Sequence, residues 1–259
     1  MHVHYTQTPA DASPHSGSAG SFAWFVKPLS PVRACAVVAC AVVIALLLIP
    51  LDRTLMQWLG PFGGLGKFVK GDLQRELEFL QQFGAISSIV IIALVMWLVD
   101  PQRRLKVFGI FGAVIVNSVV MYVVKITVGR PRPRIAFHEH VMTGRAGAWE
   151  FVLPWRTYPL PRVSSDATLT YLTAHAWEVW KDISSDLWSL PSSHAGAAAC
   201  LAAALARVYP RLAPLLVALA FLVGCARVLL GAHYVSDVIV GWALGYCTGG
   251  LIMERLGRR

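Results

Sequence analysis

Apolar stretches nearly free of charge recur along the 259 residues, and they confine the chain to a membrane more firmly than any other feature. They run from about Ala34 to Ile49, Phe83 to Val99, Leu105 to Val124, Ala195 to Val208, Leu212 to Leu230 and Val235 to Met253. The hydrocarbon core of a bilayer is roughly 30 Å thick and takes about 20 apolar residues of helix to cross. The expected fold is therefore all-α, a polytopic membrane helical bundle with about six transmembrane helices. Composition agrees: 56% of residues are hydrophobic, 14% are charged and the mean hydropathy is +0.58. Ala195 to Val208 is short and Ala-rich, which suits a helix packed closely at the centre of the bundle.

Residues 1–31 are rich in Ser, Pro, Ala, His and Gly without a sustained period, and read as a mobile tail in which Phe22, Trp24 and Phe25 touch the interface. Residues 32–259 read as one membrane-embedded domain. No small-x-small cleavage site follows the first apolar stretch before Leu51-Asp52-Arg53, so that stretch reads as a retained span. The formal charge of +9 does not indicate nucleic acid, because the Lys and Arg residues are scattered between apolar runs and form no continuous basic face. Cys35, Cys40, Cys200, Cys225 and Cys247 all lie in apolar runs, with no spacing that suits a metal, and read as buried packing residues.

Short connections orient the bundle. Arg103, Arg104 and Lys106, then Arg207 and Arg211, then Arg255, Arg258 and Arg259 fall on one side together with both termini. That side is expected to be cytoplasmic, in a multi-pass protein of the cell (inner) membrane. The segment Leu51 to Gln82, the long loop and the turn at Gly231 reach the other side.

Three ionisable clusters converge on that other side. Lys125 and Arg130-Pro-Arg132-Pro133-Arg134 close the third apolar stretch, Pro191-Ser192-Ser193-His194 opens the fourth, and Arg227, His233 and Asp237 bridge the fifth and sixth. Taken singly, each has an ordinary explanation: a snorkelling Lys, a helix cap, an exposed helix start, a stiff linker. Together they suit an anion. Arg132 and Arg227 offer forked donors, Lys125 adds a compact charge, and a helix beginning at Ser192-Ser193 presents free backbone N–H groups. The Ser192 hydroxyl adds another donor. His233 and Asp237, four apart, would share a helix face, so that the carboxylate accepts one imidazole N–H and the other ring nitrogen is left to attack. His194 is then available as the acid that protonates the departing alkoxide.

These clusters resemble the tripartite pattern of the type 2 phosphatidic acid phosphatase and vanadium haloperoxidase superfamily: Lys-x6-Arg-Pro, Pro-Ser-Gly-His and Ser-Arg-x5-His-x3-Asp. The resemblance covers about Leu105 to Met253. It implies a helical bundle and a metal-independent phosphatase without cofactor. It further implies His233 as nucleophile, Asp237 as its partner and His194 as general acid, with Lys125, Arg132, Ser192, Ser193 and Arg227 binding phosphate. Ser193 stands where the family has Gly, a harmless change unless the position needs positive φ. Ala226 stands where the family has Ser, which removes one hydroxyl.

The non-cytoplasmic loop 134–190 carries Trp149, Trp155, Trp177, Trp180 and Trp188, five of the nine tryptophans, and is expected along the interface with one or two amphipathic helices between Ala167 and Trp188. Arg130 and Arg134 read as linker residues, or as binders of a second phosphate. The expected function is hydrolysis of a lipid phosphomonoester or diphosphate through a phosphohistidine, with the lipid phosphate and the bilayer as partners. The competing classes are a phosphotransferase to a lipid or sugar hydroxyl and a non-catalytic lipid transporter. The residues rank neither the lipid nor the oligomeric state.

Overall fold

The structure is a computed structural model that describes residues 22–137, 151–163 and 169–257. Helices α1 (Ala23–Val26), α2 (Pro31–Leu59), α3 (Asp72–Leu80), α4 (Ile86–Val99) and α5 (Lys106–Val128) precede a hairpin of β1 (Tyr158–Val163) and β2 (Leu169–Ala174). Helices α6 (Ser193–Val208), α7 (Ala213–Leu229) and α8 (Val235–Gly257) complete the bundle.

All six apolar stretches are helical, but among the described residues only four helices are long and apolar enough to cross a bilayer, or five if a bent pair counts as one span. The pair is Asp72–Gly84 with Ile86–Val99, which meet at 59°. By length and composition the expected count of about six spans is not reached. The shortfall is α6, whose 16 residues reach only about 24 Å at 1.5 Å per residue. It occupies the centre of the bundle, with twelve of its residues buried.

Small residues bring α6 against α8. A Cβ on Gly241, Gly245 or Gly249 would stand 2.6, 2.0 or 2.4 Å from the backbone oxygens of Ser192, Gly196 and Cys200 respectively. Nothing larger than glycine fits such a crossing, the close approach that small-x3-small spacing permits. The seam also delivers the N-terminus of α6 beside the N-terminus of α8, where two of the polar clusters lie.

Four other expectations change. The first helix does not stop at Ile49: it continues through Pro50 to Leu59 and carries Asp52 into the protein interior, fully buried. Residues 1–21 of the expected tail lie outside the described residues, whereas Phe25 and Leu29 are buried, so packing begins before Val32. Cys35 and Cys40 are exposed on α2; Cys200 and Cys247 are buried, Cys225 is half-buried, and all five are free thiols. Between Ala167 and Trp188 the described residues form a strand and a 3-10 turn, Asp182–Leu187, instead of amphipathic α-helices. The β-branched and aromatic residues of Thr170-Tyr171-Leu172-Thr173 prefer a pleated ladder, which pairs Leu160 with Leu172. Trp149 lies outside the described residues. This loop has a small core of its own, built from Val152, Tyr158, Leu160, Ala176, Ile183 and Leu187.

Arg103, Lys106 and Arg207 line a recess with Val26 and Glu254, at the end of α6 remote from His194. The connections expected on one side therefore do share one end of the bundle.

Candidate active site

Each polar cluster is placed by the end of a helix. Lys125 sits in the last turn of α5, which Gly129 ends with a φ of 56°, a left-handed value that glycine adopts without strain. Arg227 closes α7; Gly231, with φ 68°, turns the chain so that His233 hangs between α7 and α8. In α6 the first helical bond joins Gly196 N–H to Ser192 O at 2.9 Å, so the N–H groups of Ser193, His194 and Ala195 have no acceptor within the helix.

Lys125, Arg132, Ser193, His194, Arg227 and His233 line one cavity of about 660 Å³. The cavity continues along α5 and the start of α4, past Tyr122, Met121, Val114, Ile86 and Ile89. It thus has a cationic end and a mostly apolar remainder, a shape suited to a phosphate attached to a hydrocarbon.

Ser192 and Asp237, both expected at the site, are behind its wall. Ser192 is fully buried, its Oγ makes no hydrogen bond and its N–H donates to Asp237 O at 3.0 Å. It is not among the residues that line the cavity. Ser193 does line it, in the first turn of α6.

The expected hydrogen bond between His233 and Asp237 is also corrected. His233 Nδ1 lies 2.7 Å from the backbone oxygen of Ser189 and 3.8 Å from Asp237 Oδ2. A carbonyl only accepts, so Nδ1 carries the proton and the Nε2 lone pair is left for chemistry. Asp237 Oδ2 instead accepts from Ser189 Oγ at 2.6 Å and from Tyr234 N–H at 3.0 Å. The carboxylate acts on the imidazole through charge at short range and through Ser189.

Beyond Asp237 lies a buried network with no counterpart in the sequence reading. Arg130 donates to Asp237 Oδ1 at 2.6 Å, to Ser236 Oγ at 2.7 Å and to Asp52 Oδ2 at 2.8 Å. Ser236 Oγ also donates to Asp52, and the Tyr234 ring lies 4.1 Å from the guanidinium carbon. Arg130 and both carboxylates are fully buried. Arg130 is therefore neither a linker nor a second phosphate binder, and the exposed Arg134 pairs with Asp186. The one available signal for the network was Asp52, an acid beside an apolar stretch; its partner, 78 positions away, is not legible from spacing.

The loop before α6 holds the cations. Lys125 Nζ donates to Trp188 O at 2.5 Å, and Arg132 Nε donates to Ser185 O at 3.1 Å. Gln81 accepts from Arg227. His233 lies in the turn outside the spans. Burial first, and then the charges of Arg132, Lys125 and Arg227, hold its imidazole well below the ordinary histidine range, against the opposing influence of Asp237. It is neutral at physiological pH. Among the described residues no three His, Cys, Asp or Glu side chains gather closely enough to hold a metal ion.

The model of the PAP2 superfamily matches residues 106–259, more than half of the chain. The chain belongs to the PAP2 superfamily. Relatives and structure carry the comparison further. Over 57 residues the chain is 44% identical to the lipid A 1-phosphatases of Rhizobium etli and Rhizobium johnstonii, a match covering 22% of this chain and 25% and 23% of those proteins. The chain thus spans about a quarter of the length of these curated relatives. The fold is similar to the crystal structure of a transmembrane PAP2 type phosphatidylglycerolphosphate phosphatase from Bacillus subtilis, with a TM-score of 0.51, 19% identity and coverage of 87% of this chain and 96% of that one. The chain is an integral membrane protein of the PAP2 superfamily. Its two departures from the PAP2 pattern are mild. Ser193 has no positive φ, so the missing glycine leaves no strain, and Ala226 is buried away from the cavity.

Proposed function

We propose that this protein is a lipid phosphatase that works by covalent catalysis on His233. The observation that carries the reading is the gathering of three cations and two histidines around one cavity whose remainder is apolar. Lys125, Arg132, Arg227 and the N–H groups opening α6 would hold the nonbridging oxygens, where phosphoryl transfer spreads negative charge. His233 Nε2 attacks phosphorus; the P–O bond to the lipid breaks, and His194 gives its proton to the departing oxygen. Water, losing a proton to His194, then attacks the phosphohistidine and frees inorganic phosphate and His233. All charge compensation comes from side chains and helix N–H groups, so the reaction needs no metal.

The substrate is a lipid phosphomonoester or diphosphate. The lipid A 1-phosphatase relatives favour a glycolipid phosphate within that class, on a match confined to 57 residues. The density of Arg and Lys at the opposite end of the bundle supports a cytoplasmic location for that end and both termini, and a non-cytoplasmic site, in the cell (inner) membrane.

The test is phosphate release by purified protein in mixed micelles from a panel of lipid A-type glycolipid, phosphatidic acid, phosphatidylglycerol phosphate and prenyl diphosphate. Release from at least one, lost in His233→Ala, is expected. Release from none by a folded, monodisperse sample would overturn the reading.

A further inference from the structure

The apolar part of the cavity is lined by a buried polar side chain with an atom that nothing among the described residues satisfies. Asn117 lines the cavity from α5, is 1% exposed, and its Oδ1 has no hydrogen-bond partner. Its neighbour Ser118 is accounted for, since Oγ donates to Val114 O at 2.8 Å. Buried polar atoms are nearly always paired, and an orphan within a membrane helix calls for an explanation by function. Asn117 lies eight positions before Lys125 on the same helix, about 12 Å deeper at 1.5 Å per residue. Val114, Met121 and Tyr122 line the cavity between and beside them.

We infer that Asn117 is a specificity residue: its side-chain amide hydrogen-bonds a hydroxyl or amide group on the hydrophobic portion of the substrate, some two helical turns below the phosphate. The inference rests on the lipid phosphatase reading and deepens it. A lipid with only methylenes at that depth leaves the Asn117 amide unpaired, whereas one with a polar group there pairs it. The discrimination arises because the wrong substrate leaves a buried polar group unmatched.

The experiment uses the full chain and a series of long-chain alkyl monophosphates, each with a single hydroxyl moved carbon by carbon along the chain, beside the unsubstituted ester. Wild type is expected to show a maximum of kcat/KM at one hydroxyl position, roughly 10-fold above its neighbours, the size of one well-made buried hydrogen bond. Asn117→Leu should lose that maximum, cleave the unsubstituted ester at least as well, and unfold at an equal or higher temperature, since an unsatisfied polar group has been removed. A profile without a maximum in wild type, or the same maximum in Asn117→Leu, overturns the inference while leaving the phosphatase standing. A drop in melting temperature with an equal fall for every ester assigns Asn117 to structure and also overturns it. Failure of wild type to cleave any ester of the series, with other lipids equally inert, overturns the phosphatase reading and this inference with it.

Discussion

His233 donates Nδ1–H to the backbone carbonyl of Ser189 at 2.7 Å, so a loop residue, and not a carboxylate, fixes the tautomer of the proposed nucleophile. The Ser189 side chain does a separate job, donating to Asp237 at 2.6 Å. Ser189→Ala keeps the carbonyl and loses only the second bond. Its kcat/KM should fall by roughly 3–10-fold, the effect of one hydrogen bond of about 1 kcal/mol. A loss as complete as that of His233→Ala would show that the hydroxyl, and not the carbonyl, orients the imidazole.

The network behind Asp237 should respond asymmetrically. Arg130→Ala leaves two carboxylates buried without their cation, whereas Asp52→Asn keeps the shape and removes one charge. Breaking a buried pair costs about 3–5 kcal/mol, so Arg130→Ala should fail to accumulate or should melt far below wild type in detergent. Asp52→Asn should fold with reduced stability. Arg130→Lys should not rescue, because a single ammonium cannot span Asp52 and Asp237 with forked geometry. Rescue by Lys would show that charge alone is what the network requires.

The pH profile follows from the direction of the His233 shift. An imidazole held well below its ordinary range keeps the attacking lone pair as the medium is acidified through about 6.5, the pKa of an exposed histidine. The acid limb of kcat/KM, which reports the free enzyme, should lie below that value. An acid limb at 6.5 or above would contradict a depressed nucleophile.

The two histidines should separate by leaving group. In kcat/KM, which ends with formation of the phosphohistidine, His194→Ala should lose up to roughly 10²–10⁴-fold on an alkyl phosphate and much less on a nitrophenyl phosphate, whose leaving oxygen needs no proton. His233→Ala should be inert on both and should trap no phosphoenzyme. Label on His194 in wild type would reverse the assignments.

Because the site draws its positive charge from Lys125, Arg132 and Arg227, chelator should leave phosphate release largely intact. Vanadate, which adopts the five-coordinate geometry of the phosphoryl transition state, should inhibit competitively. Activity abolished by chelator and restored by a divalent ion would refute the mechanism.

Hydropathy and spacing alone determined that the chain is a helical membrane bundle and that Lys125, Arg132, His194, Arg227 and His233 belong together, because apolar period and motif spacing are local properties. Even the central position of α6 was legible, since an alanine-rich helix too short to face lipid must face protein. Three matters were decided only by tertiary structure. The extension of α2 to Leu59 depends on Asp52 meeting Arg130 across the bundle, and that ion pair allows a charge to be buried where sequence reading ends the span. The strands around Leu160 and Leu172 are held by pairing with each other, which no single-segment period reveals. The acceptor of the His233 proton is a backbone carbonyl in a loop 44 positions away, and every residue has one, so its choice was invisible until the chain had folded.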